Sequence, residues 1–261
     1  MIICAGCSGA STPATSGRTH AALTVQAWLK TTPMRVAHRG GDRNWPEGTA
    51  EAYRNAAAWN PSLALEVPVW RTLDGVWVVS EDRTTGRVFD ADYTIASTPW
   101  STLARLRTRD GGQPMARLVH DVLTPYGRKR VLFVDNKADS AVASFMDLLD
   151  SHGGPAHIVV KSFWQAANTV REAHDRKYLT WGYYFPPGMA NFAATESKFD
   201  LLGLPYDAPT SDFQMALATG KPVIAHIVGS SAAAREGLDS GASGLMISDV
   251  EAVVPKSGGG G

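Results

Sequence analysis

Residues 35–86 read RVAHRGGDRNWPEGTAEAYRNAAAWNPSLALEVPVWRTLDGVWVVSEDRTTG. The apolar Val36 and Ala37 give way abruptly to His38-Arg39-Gly40-Gly41. The alanine-rich stretch Thr49 to Trp59 predicts a helix, and the next apolar run, LALEVPV at 63–69, carries one carboxylate, Glu66. An apolar strand that ends in charged residues and hands over to a helix matches the rim of a parallel barrel, where active groups sit at the C-terminal ends of strands. The fold turns on whether that unit repeats.

Further apolar, β-rich runs follow at Val131 to Asp135, His157 to Ser162, Tyr178 to Tyr183, Leu201 to Leu204, Val223 to Val228 and Gly244 to Ile247. Helical segments are predicted at Ser140 to Ser151, Trp164 to His174, Ser211 to Thr219 and Ala232 to Ser240, with a hairpin-like return at Val76 to Ser80. Strands this rich in Val, Ile and Leu, alternating with helices, argue for a parallel sheet covered on both faces. One strand from each unit gives eight, the number that closes a (β/α)8 TIM barrel of the α/β class. A doubly wound open sheet is the alternative, but no G-x-G-x-x-G follows the first strand to support a dinucleotide-binding version.

The expected organisation is an N-terminal extension over 1–33, one barrel over 34–255 and a flexible glycine tail over 256–261. Residues 8–19 are rich in Ser, Thr, Gly and Pro and read as an extended leader. Ala21 to Lys30 predicts a short helix that plugs the barrel floor.

With 44% hydrophobic and 19% charged residues in 261, the chain can bury a sizeable core. Lys+Arg and Asp+Glu stand at 25 each, so no global field draws the protein to nucleic acid or to anionic lipid. The two cysteines, Cys4 and Cys7, form a lone C-x-x-C, a weak metal signal without a second pair. Their surroundings faintly resemble a lipoprotein cleavage box, but they lack a basic n-region and an adequate apolar h-region. No run approaches the ~20 apolar residues of a membrane span. The expectation is a soluble protein without a signal peptide.

The motifs AHRG at 37–40, PEGT at 46–49, a Glu in the second strand, LDGVWVV at 73–79 and RTT at 83–85 occur in order. In this they resemble the glycerophosphodiester phosphodiesterase family. VDNK at 134–137 resembles that family's E-x-K pair with Asp135 in place of Glu; KSF at 161–163 and GASGLMISD at 241–249 resemble its later strands. The resemblance implies a barrel enzyme that hydrolyses glycerophosphodiesters or related cell-envelope phosphodiesters with Mg²⁺ or Ca²⁺. His38 would be the acid/base group, and Arg39 and Lys137 would clamp the phosphate. Glu66 and Asp135 would hold the metal through oxygen ligands. Gly40-Gly41 would let backbone N–H groups approach the ligand. A carboxylate inside LALEVPV is costly unless paired or metal-bound, which suits that role; an ion pair to Arg71, or between Asp135 and Lys137, is the plainer alternative. His226 is either a ligand contact or a core histidine. Trp45, Trp70, Trp77, Tyr183 and Tyr184 could hold a glycerol or sugar group, or simply pack.

Two departures mark the chain as divergent. The family's second metal carboxylate falls at Pro68, and its second catalytic His falls at Glu81. Glu81 could replace the His if burial raised its pKa, and Glu47, Glu81 or Asp82 could replace the metal ligand. Two functions stay open: metal-assisted hydrolysis impaired by the missing residues, or an inactive barrel kept for binding or architecture, for instance among bacteriophage tail or virion proteins facing a cell envelope. The retained His38, Arg39, Glu66, Asp135 and Lys137 favour the first; the unusual leader favours the second.

Overall fold

The computed structural model describes residues 22–257. The expectations for Cys4 and Cys7, for the leader at 8–19 and for the last four glycines lie outside the described residues. Eight parallel strands close on themselves: β1 (Met34–Ala37), β2 (Ala64–Arg71), β4 (Leu132–Asn136), β5 (Ile158–Phe163), β6 (Leu179–Tyr183), β7 (Leu201–Pro205), β8 (Val223–Val228) and β9 (Gly244–Ile247). Closure is made by β1, which pairs with β9 on one side and β2 on the other. The hairpin strand β3 (Trp77–Val79) lies antiparallel on the last residues of β2, outside the count of eight. This is the (β/α)8 barrel expected from the repeating unit.

Alternate residues of each strand face the barrel axis. The inward set comprises Met34, Val36, Ala64, Phe133, Val159, Trp181, Leu201, Ile224 and Met246, which pack as one cluster. The outward set packs against helices α2 (Ala50–Trp59), α3 (Val142–His152), α4 (Asn168–Asp175), α5 (Thr210–Leu217) and α6 (Ser231–Asp239). Both faces of the sheet are therefore buried, which is why the strands read as unbroken apolar runs.

The floor plug is shorter than Ala21 to Lys30. Helix α1 (Val25–Trp28) is one turn, capped by the Thr24 hydroxyl, which accepts from Ala27 N at 3.2 Å. Trp28 is fully buried and meets Phe133 edge-on at 5.1 Å between ring centroids. Helix α4 also starts later than Trp164, because Asp139 of the β4–α3 loop accepts from the N–H groups of Ala167, Asn168 and Thr169 at 3.2, 3.1 and 2.7 Å. Those N–H groups have no partner inside the helix, so the carboxylate fixes where it begins. No helix among the described residues is long and apolar enough to cross a membrane.

Candidate active site

The His-Arg-Gly-Gly turn follows β1 directly. Arg39 sits in the left-handed region at φ 50°, followed by Gly40 at 81° and Gly41 at 91°. A side chain at Gly40 would press on Ala52 Cβ at 3.0 Å, and one at Gly41 would strike the Trp45 ring at 2.8 Å. The chain can coil this tightly only with glycine at both places. Two of the turn's N–H groups, those of Arg39 and Gly41, are taken within the chain. Arg39 N donates to Glu66 Oε2 at 2.7 Å, and Gly41 N donates to His38 O at 2.7 Å. A buried carboxylate had first call on the Arg39 donor.

His38 is buried, and its Nδ1 lies 3.0 Å from Asp42 Oδ1. The Asp42 carboxylate can only accept, so Nδ1 is the donor of that contact. The Arg39 guanidinium reaches Glu47 at 3.2 Å and Glu81 at 3.6 Å.

Above the apolar floor the inward positions become charged. Glu66 lies one inward step past Ala64, Asp135 one past Phe133, and Lys161 one past Val159. Asp135 and Lys161 are register partners on neighbouring strands. The Lys161 ammonium stands between the two acids: it donates to Asp135 Oδ2 at 2.9 Å and lies 3.0 Å from Glu66 Oε1. Lys137 Nζ donates to Glu81 Oε1 at 2.8 Å, to Asp135 Oδ2 at 3.3 Å and to Tyr183 Oη at 3.1 Å. Burial pushes the Glu66 carboxyl up, yet Lys161, His38 and Arg39 outweigh it and hold it below its ordinary value. Burial likewise opposes the charge on Lys161, but Asp135 and Glu66 keep that ammonium protonated well above the usual range.

Glu81 does not behave as the raised, His-like carboxyl that its burial suggested. Burial acts in that direction, but Lys161, Lys137 and Arg39 overcome it and draw its pKa down to about 2. It is a fixed anion lodged between the two cations expected to clamp a phosphate.

His38, Arg39, Glu81 and Lys161 line a cavity of about 270 Å³ together with Phe163, Trp181, Tyr183, Phe185, His226 and Met246. Lys137 joins it through Tyr183. Thus His38, Arg39, Glu66, Glu81, Asp135 and Lys137 do converge on one mouth. Of the five aromatics singled out, only Tyr183 lines the cavity. Trp45 stacks near Trp59 and Trp77 on Phe145, Trp70 donates to the Glu81 carbonyl, and Tyr184 packs with Phe192. His226 lines the cavity with Nε2 unpartnered, and burial beside Lys161 lowers its pKa to about 3, so it is neutral. Lys161 was missed as a site residue. Its signal was a lysine inside the apolar run HIVVKSF, the mirror image of Glu66 in LALEVPV.

The fold and the site are those of a TIM barrel with a histidine, a set of cations and buried carboxylates at its C-terminal mouth. Residues 38–180 match the model of the glycerophosphoryl diester phosphodiesterase family, and the chain belongs to that family. Among solved structures, it is similar to a glycerophosphoryl diester phosphodiesterase of Agrobacterium tumefaciens, with 17% identity and TM-score 0.73, covering 83% of this chain and 94% of that one. It is similar to one from Silicibacter pomeroyi, with 20% identity and TM-score 0.72 over 85% and 92% of the two chains. An Oleispira antarctica phosphodiesterase, solved with the product sn-glycerol-3-phosphate, matches at 18% identity and TM-score 0.69 over 83% and 93%.

The family generally depends on a divalent metal. The residues here do not fit one. The expectation that Glu66 and Asp135 would hold Mg²⁺ or Ca²⁺ meets an ammonium already between them. Pro68, in register with Asp135, has no side-chain oxygen, and its carbonyl accepts from Ser80 N. The proposed substitutes are also engaged: Glu47 with Arg39 and Arg87, Asp82 with Arg87, and Glu81 with Lys137. Among the described residues no group of three or more His, Cys, Asp or Glu could hold a metal ion.

Proposed function

We propose that the barrel mouth receives the phosphate of a glycerophosphodiester, or of a related cell-envelope phosphodiester, between Arg39 and Lys137, and that His38 carries a slow hydrolysis. The observation behind this reading is the convergence of His38 with Arg39, Lys137 and Lys161 around one cavity. The phosphate would take the place of the Glu81 carboxylate, whose Oε1 lies 2.8 Å from Lys137 and 3.6 Å from Arg39. The alcohol portion would lie against Phe163, Tyr183 and Phe185, where apolar and aromatic walls suit a small ligand.

His38 Nε2, freed to accept by the Asp42 contact at Nδ1, takes the proton of the attacking hydroxyl, from water or from a neighbouring alcohol of the substrate. The P–O bond to the leaving alcohol breaks as the new one forms. The leaving oxygen then needs a proton, and the same imidazolium is the available donor. Arg39 and Lys137 neutralise charge on the phosphoryl oxygens. One histidine doing the work of two is expected to cost about 10² to 10⁴ in rate.

A second reading is favoured by Glu81 and Lys161, which already satisfy the cations and acids of the mouth: a barrel kept for phosphodiester binding or for architecture, such as a place in a phage tail or virion. The deciding assay compares the parent with His38→Ala on a glycerophosphodiester, run both with added Mg²⁺ or Ca²⁺ and with chelator. A loss of about tenfold or more supports hydrolysis, since a positioned acid/base contributes at least that much. Equal background rates support the binding reading.

A further inference from the structure

We infer that the Lys161 ammonium is a built-in cation that takes the place of the family's divalent metal, so that the buried acids of this mouth are paired without one. Lys161 enters the site from β5, in register with Asp135 of β4. Its Nζ lies 2.9 Å from Asp135 Oδ2 and 3.0 Å from Glu66 Oε1, and all three residues are almost wholly buried. Buried charges persist only when paired, so these three explain one another.

The donor set agrees. Lys161 Nζ donates to Asp135 Oδ2, lies within ion-pair distance of Glu66 Oε1 without hydrogen-bond geometry, and faces Tyr183, whose ring centre is 4.2 Å away. A hard dication wants six or more oxygens at about 2.0 to 2.6 Å. It would have to share Glu66 and Asp135 with a positive charge about 3 Å away, and Pro68 adds nothing to replace them. The local charge tells the same story. Each cation of the mouth already faces carboxylates: Lys161 lies against Asp135 and Glu66, Lys137 against Glu81 and Asp135, and Arg39 against Glu47 and Glu81. Removing Lys161 leaves two buried carboxylates facing each other, the arrangement that invites a metal.

This inference concerns what holds the acids together and stands whether or not the mouth turns over a phosphodiester. Its test is Mn²⁺ titration followed by electron paramagnetic resonance on the parent, Glu66→Gln, Lys161→Arg, Lys161→Ala, and Lys161→Ala with Glu66→Gln. The parent and Lys161→Arg should show no saturable site at or below about 1 mM, the weak end of built cation sites. Folded Lys161→Ala should bind Mn²⁺ at least about tenfold more tightly than the parent, and adding Glu66→Gln should abolish the gain. A parent site that Glu66→Gln removes would overturn the inference, as would a folded Lys161→Ala with no gain. If Lys161→Ala does not fold, thermal melting of the parent decides. A midpoint unmoved by chelator and by millimolar Mn²⁺, Mg²⁺ or Ca²⁺ supports the built-in cation, and a rise of more than about 3 °C with any of them refutes it, because binding to the folded state alone must raise the midpoint.

Discussion

Glu81→Gln should make this protein bind phosphate esters more tightly. The Glu81 carboxylate sits 2.8 Å from Lys137 and 3.6 Å from Arg39, so an incoming phosphate must displace an anion that the fold supplies itself. The side chains are 21, 14 and 16% exposed, well short of the exposure at which solvent would cancel such contacts. A hydrogen bond to a charged group is worth about 1.5 to 3 kcal/mol net. Removing the competitor therefore predicts a gain of about tenfold to a hundredfold in affinity for sn-glycerol-3-phosphate or inorganic phosphate. Calorimetry at low ionic strength is the assay, with Asp82→Asn as control because Asp82 pairs with Arg87 and not with the clamp. The gain should shrink as salt is added. A folded Glu81→Gln protein that binds these anions no better than the parent would refute the argument that Glu81 holds the phosphate position.

Glu66→Gln should destabilise by about 3 to 5 kcal/mol, because it strips the buried Lys161 of one partner, whereas Glu66→Gln combined with Lys161→Met should recover most of the loss; chemical denaturation of the cycle measures both. The fold favours the ionised form of Glu81, whose pKa falls from 4.5 to about 2. Its contribution to stability is thus complete above about pH 5 and is lost as pH falls through that interval toward 2, with Glu66 acting in the same direction. Urea midpoints between pH 7 and pH 3 should decline less steeply for Glu81→Gln than for the parent. Trp28→Ala should cost about 3 to 5 kcal/mol by opening the barrel floor, while leaving anion affinity unchanged.

The barrel was legible because the sheet is buried on both sides, so each strand announces itself as an apolar run closed by polar residues. His38 and Arg39 stood out for the same reason, at the break in such a run. What sequence order could not supply was pairing across strands. Lys161 meets Asp135 and Glu66 only because β5, β4 and β2 are neighbours in the closed sheet. Glu81 reads as a buried carboxyl with a raised pKa until the three cations around it are placed. The shorter α1 and the later start of α4 were likewise set by caps, Thr24 and Asp139, whose reach depends on loop geometry. The departures at Pro68 and Glu81 were visible from the start; their compensation by a lysine was not.

The floor contacts also determine how the molecule can be held. Leu23 N donates to Lys129 O, and the Leu23 carbonyl meets His157 Nδ1, just ahead of β4 and β5. At the other extreme, Ser257 N donates to Trp59 O and Asn60 Nδ2 to Pro255 O, just ahead of β2. Both ends of the described chain are thus tied to the pole opposite His38. An attachment made at residue 22 or 257 would therefore hold the barrel by its base, with the cavity lined by His38 at the far pole.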